Sequence, residues 1–400
     1  MYFDDWYKKQ VTLRWEGRSV DLAVAQELFS SHEVDRGSLL LLRSLDVDAL
    51  PERGRSLDYG CGYGVLGLAV KAIRPAWEVT LVDRDALAVT FSAWNAVHLG
   101  MAVDCRCGLD PLDSTGAGYD LVLWNVPGKA GASVLARLTG EALDVLAPAG
   151  TLALVIVHPL AETVRTAIAA RDDIAIAHES KGREHTVIHA RRTSGSPTGS
   201  RDGFADGIFD REAIEVVYGE IAYGLVPVIG LPQYDGPDQT SLMVMDALTS
   251  LPADDRERRR AMVVRPGVGH LPKAVQTRWP SAELVLVDRD LLALRASARA
   301  LGNEDRTRTF ASPDFEGVDI GAPVDLAIVM IPDQMRPPVM TRLLDDLVER
   351  IVPGGLLLAS GASTEVSRFA SLAAKRSAVR LRDQRKRRGS SVGIIERRDG

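Results

Sequence analysis

Short runs of Val, Leu and Ile alternate along the chain with stretches in which apolar residues recur at helical spacing. The runs have the length of strands buried on both faces, and the amphipathic stretches have the length of helices. Strands that alternate with helices of about 10 to 15 residues predict a parallel sheet with helices on both faces. The predicted strands are Arg55–Asp58, Glu78–Asp83, Val103–Cys107, Asp120–Asn125 and Thr151–His158, and the predicted helices are Leu66–Ile73, Ala86–His98 and Ala132–Leu146.

The same pattern occurs twice. The pentapeptide Leu-Val-Asp-Arg-Asp begins at Leu81 and again at Leu286, which is 205 positions later. At this shift residues 56–70, 119–127 and 146–154 align with 261–275, 324–332 and 351–359, and residues 33–42 align with 236–245 at a shift of 203. Residues 193–207 are rich in Gly and Ser and predict an exposed linker. The sequence therefore predicts two tandem α/β domains with doubly wound sheets, residues 1–192 and 208–400, joined by this linker.

Composition narrows the class of protein. Of the 400 residues, 46% are apolar and 26% are charged, so each half can bury a hydrophobic core of normal size. The net charge of -6 argues against a protein that coats nucleic acid over its whole surface. No run of about 18 apolar residues occurs and the start does not resemble a signal peptide, so we expect a cytoplasmic chain without a membrane partner. Cys61, Cys105 and Cys107 lack metal-ligand spacing, and we expect no bound metal and no disulfide.

A glycine-rich turn follows the first predicted strand of the N-terminal half. Asp58 closes the strand, and Gly60, Gly62 and Gly64 lead into the next helix. Glycine lets the backbone turn tightly and approach a ligand without a Cβ in the way. Asp83 ends the next strand, where a carboxylate suits a bidentate hydrogen bond to a ribose diol. The pattern D-x-G-x-G-x-G differs from the G-x-G-x-x-G of dinucleotide sites and resembles motif I of the class I S-adenosylmethionine (SAM) methyltransferases.

This resemblance implies roles for further residues. It places Asp58 near the amino group and sulfonium of SAM, and Asp110 near the adenine. Where the methyltransferases of planar nitrogens carry Asn-Pro-Pro-aromatic, this chain has Asn125, Val126, Pro127 and Gly128 at the end of a strand. The side-chain oxygen of Asn125 and the backbone carbonyl of Val126 would accept the two N–H bonds of an amine and steer its lone pair toward the methyl group. Asn125, Val126 and Pro127 are therefore the predicted catalytic residues.

An upstream block narrows the family further. Leu28-Phe29-Ser30, then Asp35-x-Gly37-Ser38 and Leu39–Leu42, resembles the segment before motif I in the tandem-domain rRNA (guanine-N2) methyltransferases, which are also duplications with one degenerate copy. The resemblance covers residues 12–192 well and 215–398 more faintly.

The family resemblance implies two class I methyltransferase domains of Rossmann-like fold, SAM as the cofactor and ribosomal RNA as the substrate. It places Ser38 at the cofactor, and Phe29 and Lys129 at the substrate. The sequence departs from the family at Gly128, where the aromatic that would stack on the substrate base is missing. Either Phe29 or Trp124 supplies that contact, or the substrate differs from that of the family.

The second half has lost the residues of this chemistry. At the shift of 205 positions Asp58, Gly60 and Asn125 become Val263, Arg265 and Met330, and of the cofactor carboxylates only Asp83 is kept, as Asp288. We therefore predict a degenerate second copy that serves substrate binding or stability. Its C-terminal segment contains a basic strip that can contact backbone phosphates, formed by Lys375, Arg376, Arg380, Arg382, Arg385, Lys386, Arg387 and Arg388, and the last four are the predicted substrate-binding residues.

Three alternatives to RNA methylation stay open at this stage. The missing aromatic and the acidic net charge favour a small metabolite as the acceptor, and a protein glutamine amide is methylated by enzymes with a similar Asn-Pro-Pro-aromatic site. A non-catalytic RNA-binding or assembly factor on a SAM fold is the third, and intact Asp58, Gly60, Gly62, Asp83 and Asn125 argue against it. The prediction is a SAM-dependent N-methyltransferase of an RNA base, with guanine N2 of ribosomal RNA as the preferred target. The oligomeric state is left open.

Overall fold

The computed structural model describes residues 3–111, 116, 118–128, 131–197, 202–251 and 260–398. Contacts between Cα atoms divide the chain into two compact units. The N-terminal unit is Tyr7–Phe209, and the C-terminal unit combines Met1–Trp6 with Asp210–Gly400.

The N-terminal unit contains a two-stranded hairpin and a seven-stranded sheet. Its strands are β1 (Tyr7–Trp15), β2 (Arg18–Ala25), β3 (Arg55–Tyr59), β4 (Glu78–Asp83), β5 (Asp104–Cys107), β6 (Tyr119–Asn125), β7 (Leu146–Val157), β8 (Ile174–Lys181) and β9 (His185–Arg192). Its helices are α2 (Arg36–Ser44), α3 (Val65–Ile73), α4 (Ala86–His98), α5 (Ala132–Asp144) and α6 (Ala161–Ala169). The element α1 (Phe3–Trp6) belongs to the C-terminal unit.

The sheet of the N-terminal unit has the order β5-β4-β3-β6-β7-β9-β8. Its first five strands are parallel, and β9 runs antiparallel to both β7 and β8. The central strands are buried on both faces, which explains their continuous apolar sequences. The chain adds β4 and β5 on one side of β3 and then returns to add β6 and β7 on the other side, so the carboxyl ends of β3, β4 and β6 form a crevice at a topological switch point.

The C-terminal unit repeats this architecture with the sheet order β14-β13-β12-β15-β16-β18-β17. Its strands are β10 (Ile214–Tyr218), β11 (Ile221–Leu225), β12 (Arg260–Val264), β13 (Glu283–Asp288), β14 (Thr307–Ala311), β15 (Val324–Ile331), β16 (Ile351–Ala362), β17 (Val379–Arg387) and β18 (Ser390–Arg397). Its further helices are α7 (Gln239–Thr249), α8 (His270–Arg278), α9 (Leu291–Leu301), α10 (Pro337–Glu349) and α11 (Ser363–Ala373). The prediction of two tandem Rossmann-like domains is confirmed.

Most predicted elements of the N-terminal half agree with the structure to within one or two residues. The main difference is β7, which begins at Leu146 and not at Thr151, because Leu146 already pairs with Tyr119. An irregularity in the pairing between Tyr119 and Leu121 takes up the intervening residues, and Ala149 there adopts a left-handed φ of 63°. The same early pairing ends α5 at Asp144.

A short segment before each hairpin packs onto the unit of the other half of the chain. We call these the leading segments, residues 3–6 and 202–209. Trp6 is buried in the C-terminal unit, where Asp5 lies 3.6 Å from Arg342. Phe204 and Phe209 are buried in the N-terminal unit. The last residues of the predicted linker therefore contribute apolar packing to the N-terminal unit.

Candidate active site

The turn between β3 and α3 holds three glycines in left-handed backbone conformations. Gly60, Gly62 and Gly64 have φ values of 71°, 57° and 94°, which cost other residues about 1 kcal/mol or more. A Cβ added at Gly60 or at Gly62 would meet no atom within 4 Å. These two glycines are therefore required by backbone geometry, and open space lies next to the turn at the N-terminus of α3.

Asp58 lies at the end of β3 beneath this turn. It is 1% exposed, and its Oδ2 accepts a hydrogen bond of 2.8 Å from the amide of Gly67. Its Oδ1 has no hydrogen-bond partner among the described residues. Burial raises the pKa of Asp58 to about 7, with the Gly67 hydrogen bond opposing the rise and the charge of Asp83 adding to it. Buried polar atoms are rarely left unpaired, so Oδ1 is suited to a ligand that donates a hydrogen bond or carries positive charge.

Asp83 ends β4 next to the glycine turn, as the sequence predicts. Its Oδ2 accepts the amide of Gly62 at 2.9 Å, and its Oδ1 accepts the amide of Asp85 at 2.9 Å. Burial, with the charge of Asp85, raises the pKa of Asp83 to about 6. The two backbone bonds fix the carboxylate, and each oxygen keeps a second lone pair for a hydroxyl group.

Asp110 and Glu141 are two buried carboxyl groups on the side of the site that faces residues 202–209. A Cβ added at Gly203 would lie 3.0 Å from Oε1 of Glu141 and 3.5 Å from Oδ2 of Asp110. Arg137 pairs with Glu141 at 2.9 Å and with Asp206 at 2.8 Å. Burial and then the charge of Asp110 raise the pKa of Glu141 to about 7. Sequence reasoning missed Glu141, although an acidic residue four positions after an arginine inside an apolar helix face was a usable signal.

Asn125 ends β6, and α2 holds its side chain. The Nδ2 group donates to Oδ2 of Asp35 at 2.8 Å and to Oγ of Ser38 at 2.9 Å. A carboxylate only accepts hydrogen bonds, so the NH₂ group must face Asp35 and the amide oxygen must point away from it. Asp35 also accepts the Ser38 amide at 2.9 Å and so caps α2. The structure thus brings Ser38, predicted at the cofactor, into contact with the predicted catalytic Asn125.

The residues after Asn125 form the edge of the site. Val126 is buried, and its amide donates to the carbonyl of Val155 at 2.9 Å. Pro127 and Gly128 are exposed, and Lys129 lies outside the described residues.

Trp124 and Phe29 are the two aromatic side chains predicted to replace the aromatic that is absent at Gly128, and only Phe29 is accessible. Trp124 is 1% exposed and packs at 5.2 Å against the ring of Tyr59, so it belongs to the core. Phe29 is 74% exposed, and the residue after it, Ser30, has a left-handed φ of 55°. Because Trp124 is buried and Phe29 is exposed, Phe29 is the remaining candidate for a stacking contact.

The corresponding positions of the C-terminal unit keep the backbone and lose the functional groups. Arg265 replaces Gly60 and adopts nearly the same left-handed conformation, with φ 61°. Val263 and Met330 replace Asp58 and Asn125, so neither the buried carboxylate nor the amide is present. Asp288 is kept and is 8% exposed. Burial raises the pKa of Asp288 to about 6, and the charge of Arg265 opposes the rise.

Most of the basic strip lies on β17, the outermost strand of the second sheet, and on the turn that follows. Arg376, which precedes the strand, pairs with Asp345, and Arg380 and Arg382 pair with Glu396. Arg385 forms an ion pair of 2.8 Å with Asp383. Arg387 contacts Tyr218. Among the described residues, no carboxylate lies within ion-pair distance of Lys386, Arg387 or Arg388, and all three are exposed. The strip predicted from the sequence is therefore partly neutralised, and its accessible charge is concentrated at the turn.

Two kinds of feature were not found in the part of the chain that the structure describes. No helix there has the length and apolarity needed to cross a bilayer. No group of three or more His, Cys, Asp or Glu side chains is arranged to hold a metal ion.

The family model of the methyltransferase small domain matches residues 19–170. Ribosomal RNA small subunit methyltransferase C of Aliivibrio fischeri is 33% identical over 140 residues, which are 35% of this chain and 40% of that protein. The protein of the same name from Pseudomonas paraeruginosa is 39% identical over 132 residues, or 32% of this chain and 39% of that protein. The matches thus span about two fifths of the length of these relatives.

A solved structure resembles the chain over nearly its whole length. It is the 16S rRNA N2 G1207 methyltransferase of T. thermophilus in complex with AdoMet and guanosine, with a TM-score of 0.69. The match covers 98% of both chains at 17% sequence identity. At 17% sequence identity, this similarity shows that the two chains share a fold.

Proposed function

We propose that this chain, which carries a methyltransferase small domain in residues 19–170, is a SAM-dependent N-methyltransferase of ribosomal RNA whose target is the exocyclic amine of a guanine. The observation that carries the proposal is the amide of Asn125, held by Asp35 and Ser38 at the end of the strand next to the glycine turn. The names of the relatives and of the similar solved structure supply the substrate class.

The residues around the glycine turn fit SAM. The unpaired Oδ1 of Asp58 suits its ammonium and sulfonium end, the fixed carboxylate of Asp83 suits the ribose diol, and the space beside Gly60 and Gly62 lets the backbone approach. Asp110 lies on the side where the adenine is expected. When bound, SAM supplies an electrophilic methyl group on its sulfonium.

The chain's own contribution to the reaction is to orient the amine. The N2 amine of guanine is a poor nucleophile because its lone pair is delocalised into the ring. The oxygen of Asn125 and the carbonyl of Val126 would accept its two N–H bonds, which directs the lone pair toward the methyl group. Asp35 and Ser38 keep the amide from rotating, and Phe29 offers a stacking surface for the base. The orientation of the amine requires no strong base.

The experiment that tests the function is methylation of 16S rRNA from a strain lacking the gene. The rRNA is offered both deproteinised and as small ribosomal subunits, with radiolabelled SAM, and the product is mapped by mass spectrometry of nuclease fragments. We expect one N2-methylguanosine that is absent from the deletion strain. Label found only in protein or in small molecules would contradict the RNA proposal, and no label in any fraction would contradict the enzymatic one.

We further expect the exposed basic residues to govern RNA affinity and not turnover. Replacing Lys386, Arg387 and Arg388 with glutamine should raise the KM for rRNA and flatten its salt dependence by about one unit of log–log slope per lost phosphate contact. Turnover at saturating RNA should stay near wild type. The measurement is steady-state methylation over a salt series.

The matched control for this prediction replaces Arg380 and Arg382, which already pair with Glu396, and should change the salt slope much less. Equal slopes for wild type and the triple variant would show that the strip is an ordinary solvated edge.

A further inference from the structure

The C-terminal unit has an open cavity at the carboxyl ends of β12, β13 and β14. Its lining residues include Arg265, Asp288, Arg289 and Phe315. At the shift of 205 positions these correspond to Gly60, Asp83, Arg84 and Asp110, and the cavity therefore takes the place of the adenosine part of the cofactor site in the other copy. The leading-segment residues Asp5 and Trp6 form part of its wall.

One element of nucleoside recognition is intact in this cavity. Asp288 ends β13 as Asp83 ends β4, and its Oδ1 accepts the amide of Asp290 at 3.1 Å, just as Asp83 accepts the amide of Asp85. A carboxylate fixed at the end of this strand suits the two hydroxyl groups of a ribose. Asp288 thus keeps the hydrogen-bonding capacity of Asp83, although this unit has no equivalents of Asp58 and Asn125.

The charge at the neighbouring end of the cavity is inverted. In the N-terminal unit this end has the Asp58 carboxyl and a glycine, whereas here Val263 removes the acid and Arg265 adds a guanidinium group. Arg265 does so from a left-handed backbone conformation, with φ 61°, that is unfavourable for a non-glycine residue. A second guanidinium, that of Arg289, also lines the cavity. Both guanidinium groups act on the Asp288 carboxylate, and they make this end less favourable for a sulfonium and more favourable for a phosphate than its counterpart in the N-terminal unit.

The other end of the cavity suits a base with an amino group. Phe315, Met335 and Val339 supply an apolar wall. Asp346 lines the cavity with 8% of its surface exposed; its Oδ1 lies 3.6 Å from Nη1 of Arg350, and its Oδ2 has no hydrogen-bond partner among the described residues. A buried carboxylate oxygen of this kind is satisfied by an N–H donor such as an exocyclic amine.

We infer that the cavity of the C-terminal unit binds a ribonucleoside 5′-phosphate with a free 2′,3′-diol. Asp288 takes the diol, Arg265 and Arg289 take the phosphate, and Asp346 takes an amino group of a purine. An internal nucleotide of RNA has no free 3′-hydroxyl, so the ligand is a free mononucleotide or the 3′-terminal nucleotide of an RNA. The inference is independent of methyl transfer by the other copy.

The test is isothermal titration of the full-length protein with GMP and AMP. Saturating S-adenosylhomocysteine is present so that the proposed SAM site of the N-terminal unit is blocked. We expect one saturable site for at least one of the two nucleotides. Binding should weaken on the order of tenfold or more for guanosine or adenosine without phosphate, and similarly in the Asp288→Ala and Arg265→Gly variants. Circular dichroism and thermal unfolding check that each variant is folded, and Arg265→Gly relieves strain, so it keeps the test available if Asp288→Ala unfolds.

A second titration distinguishes the two sources of the ligand. A short RNA ending in a 3′-hydroxyl is compared with the same RNA ending in a 3′-phosphate, which has no free diol. Tighter binding of the 3′-hydroxyl RNA than of the mononucleotide, lost in Asp288→Ala, assigns the site to RNA ends. The absence of saturable heat with every ligand, or binding unchanged in both variants, would overturn the inference.

Discussion

Replacing Asn125 with alanine is expected to lower turnover on the order of 10²–10³-fold while SAM affinity stays nearly unchanged. The amide oxygen is aimed by two hydrogen bonds, from Nδ2 to Asp35 and to Ser38, and so is organised before the amine arrives. Its contribution grows as the amine pyramidalises, so the loss belongs to the transition state and appears in kcat. Single-turnover methylation of rRNA and titration with SAM measure the two quantities separately.

Three further variants sharpen this prediction. Ser38→Ala removes one of the two bonds to Nδ2 and leaves Asp35, so it should cost less turnover than Asn125→Ala. Met330→Ala changes the equivalent position of the C-terminal unit and should leave turnover unchanged. Asn125→Asp keeps the shape of the side chain but removes the NH₂ group that donates to Asp35, so it should also lower turnover. A loss of SAM binding that parallels the loss of turnover in Asn125→Ala would contradict the assigned role.

The Gly60→Arg variant is expected to bind SAM at least on the order of 10²-fold more weakly than wild type. It copies the natural Arg265 into the N-terminal unit, where a side chain on Gly60 would meet open space. A guanidinium about 4 Å from a sulfonium is disfavoured by roughly 4 kcal/mol at an effective dielectric constant of 20. The backbone cost is about 1–2 kcal/mol, and Arg265 shows that this fold accepts it. Titration with SAM gives the affinity, and thermal unfolding confirms that the variant is folded.

Gly60→Ala separates the effect of the added charge from that of the backbone conformation, because it adds the backbone strain without the charge. Its backbone strain is present in the free and the SAM-bound protein alike, so it should lower the free energy of unfolding by about 1–2 kcal/mol and reduce SAM affinity far less than Gly60→Arg does. The reverse variant, Arg265→Gly, should leave SAM binding unchanged, since Asp58 and Asn125 have no equivalents in that unit. If Gly60→Ala loses as much affinity as Gly60→Arg, then conformation and not charge excludes SAM from the second copy.

The sequence predicted the scaffold well because its evidence is local. Apolar runs, the glycine turn and the carboxylate at the end of the next strand are signals within about 30 residues of one another, and β4 and α4 have the predicted bounds. The repeat doubled that evidence, since the same order of strands appears in both units.

Contacts between distant positions could not be predicted in the same way. Asp35 and Asn125 are 90 positions apart, and no periodicity brings α2 to the end of β6. The partial neutralisation of the basic strip depends on which residues face each other across β17 and β18, where Glu396 pairs with Arg380 and Arg382. The composition of residues 193–207 indicates a linker, but the burial of Phe204 depends on a surface formed by residues far away in the sequence.

The leading segments bear on how the two copies have persisted together. Each compact unit contains one repeat of the sequence together with the leading segment from the other half of the chain. The same exchange of a short segment occurs in a domain-swapped dimer, and here the two partners are joined in one chain. A deletion that removed either copy at the repeat boundary would also remove the segment that covers buried residues of the survivor, such as Glu141 or Asp346. We therefore expect a deletion of either copy at the repeat boundary to lower the stability of the copy that remains.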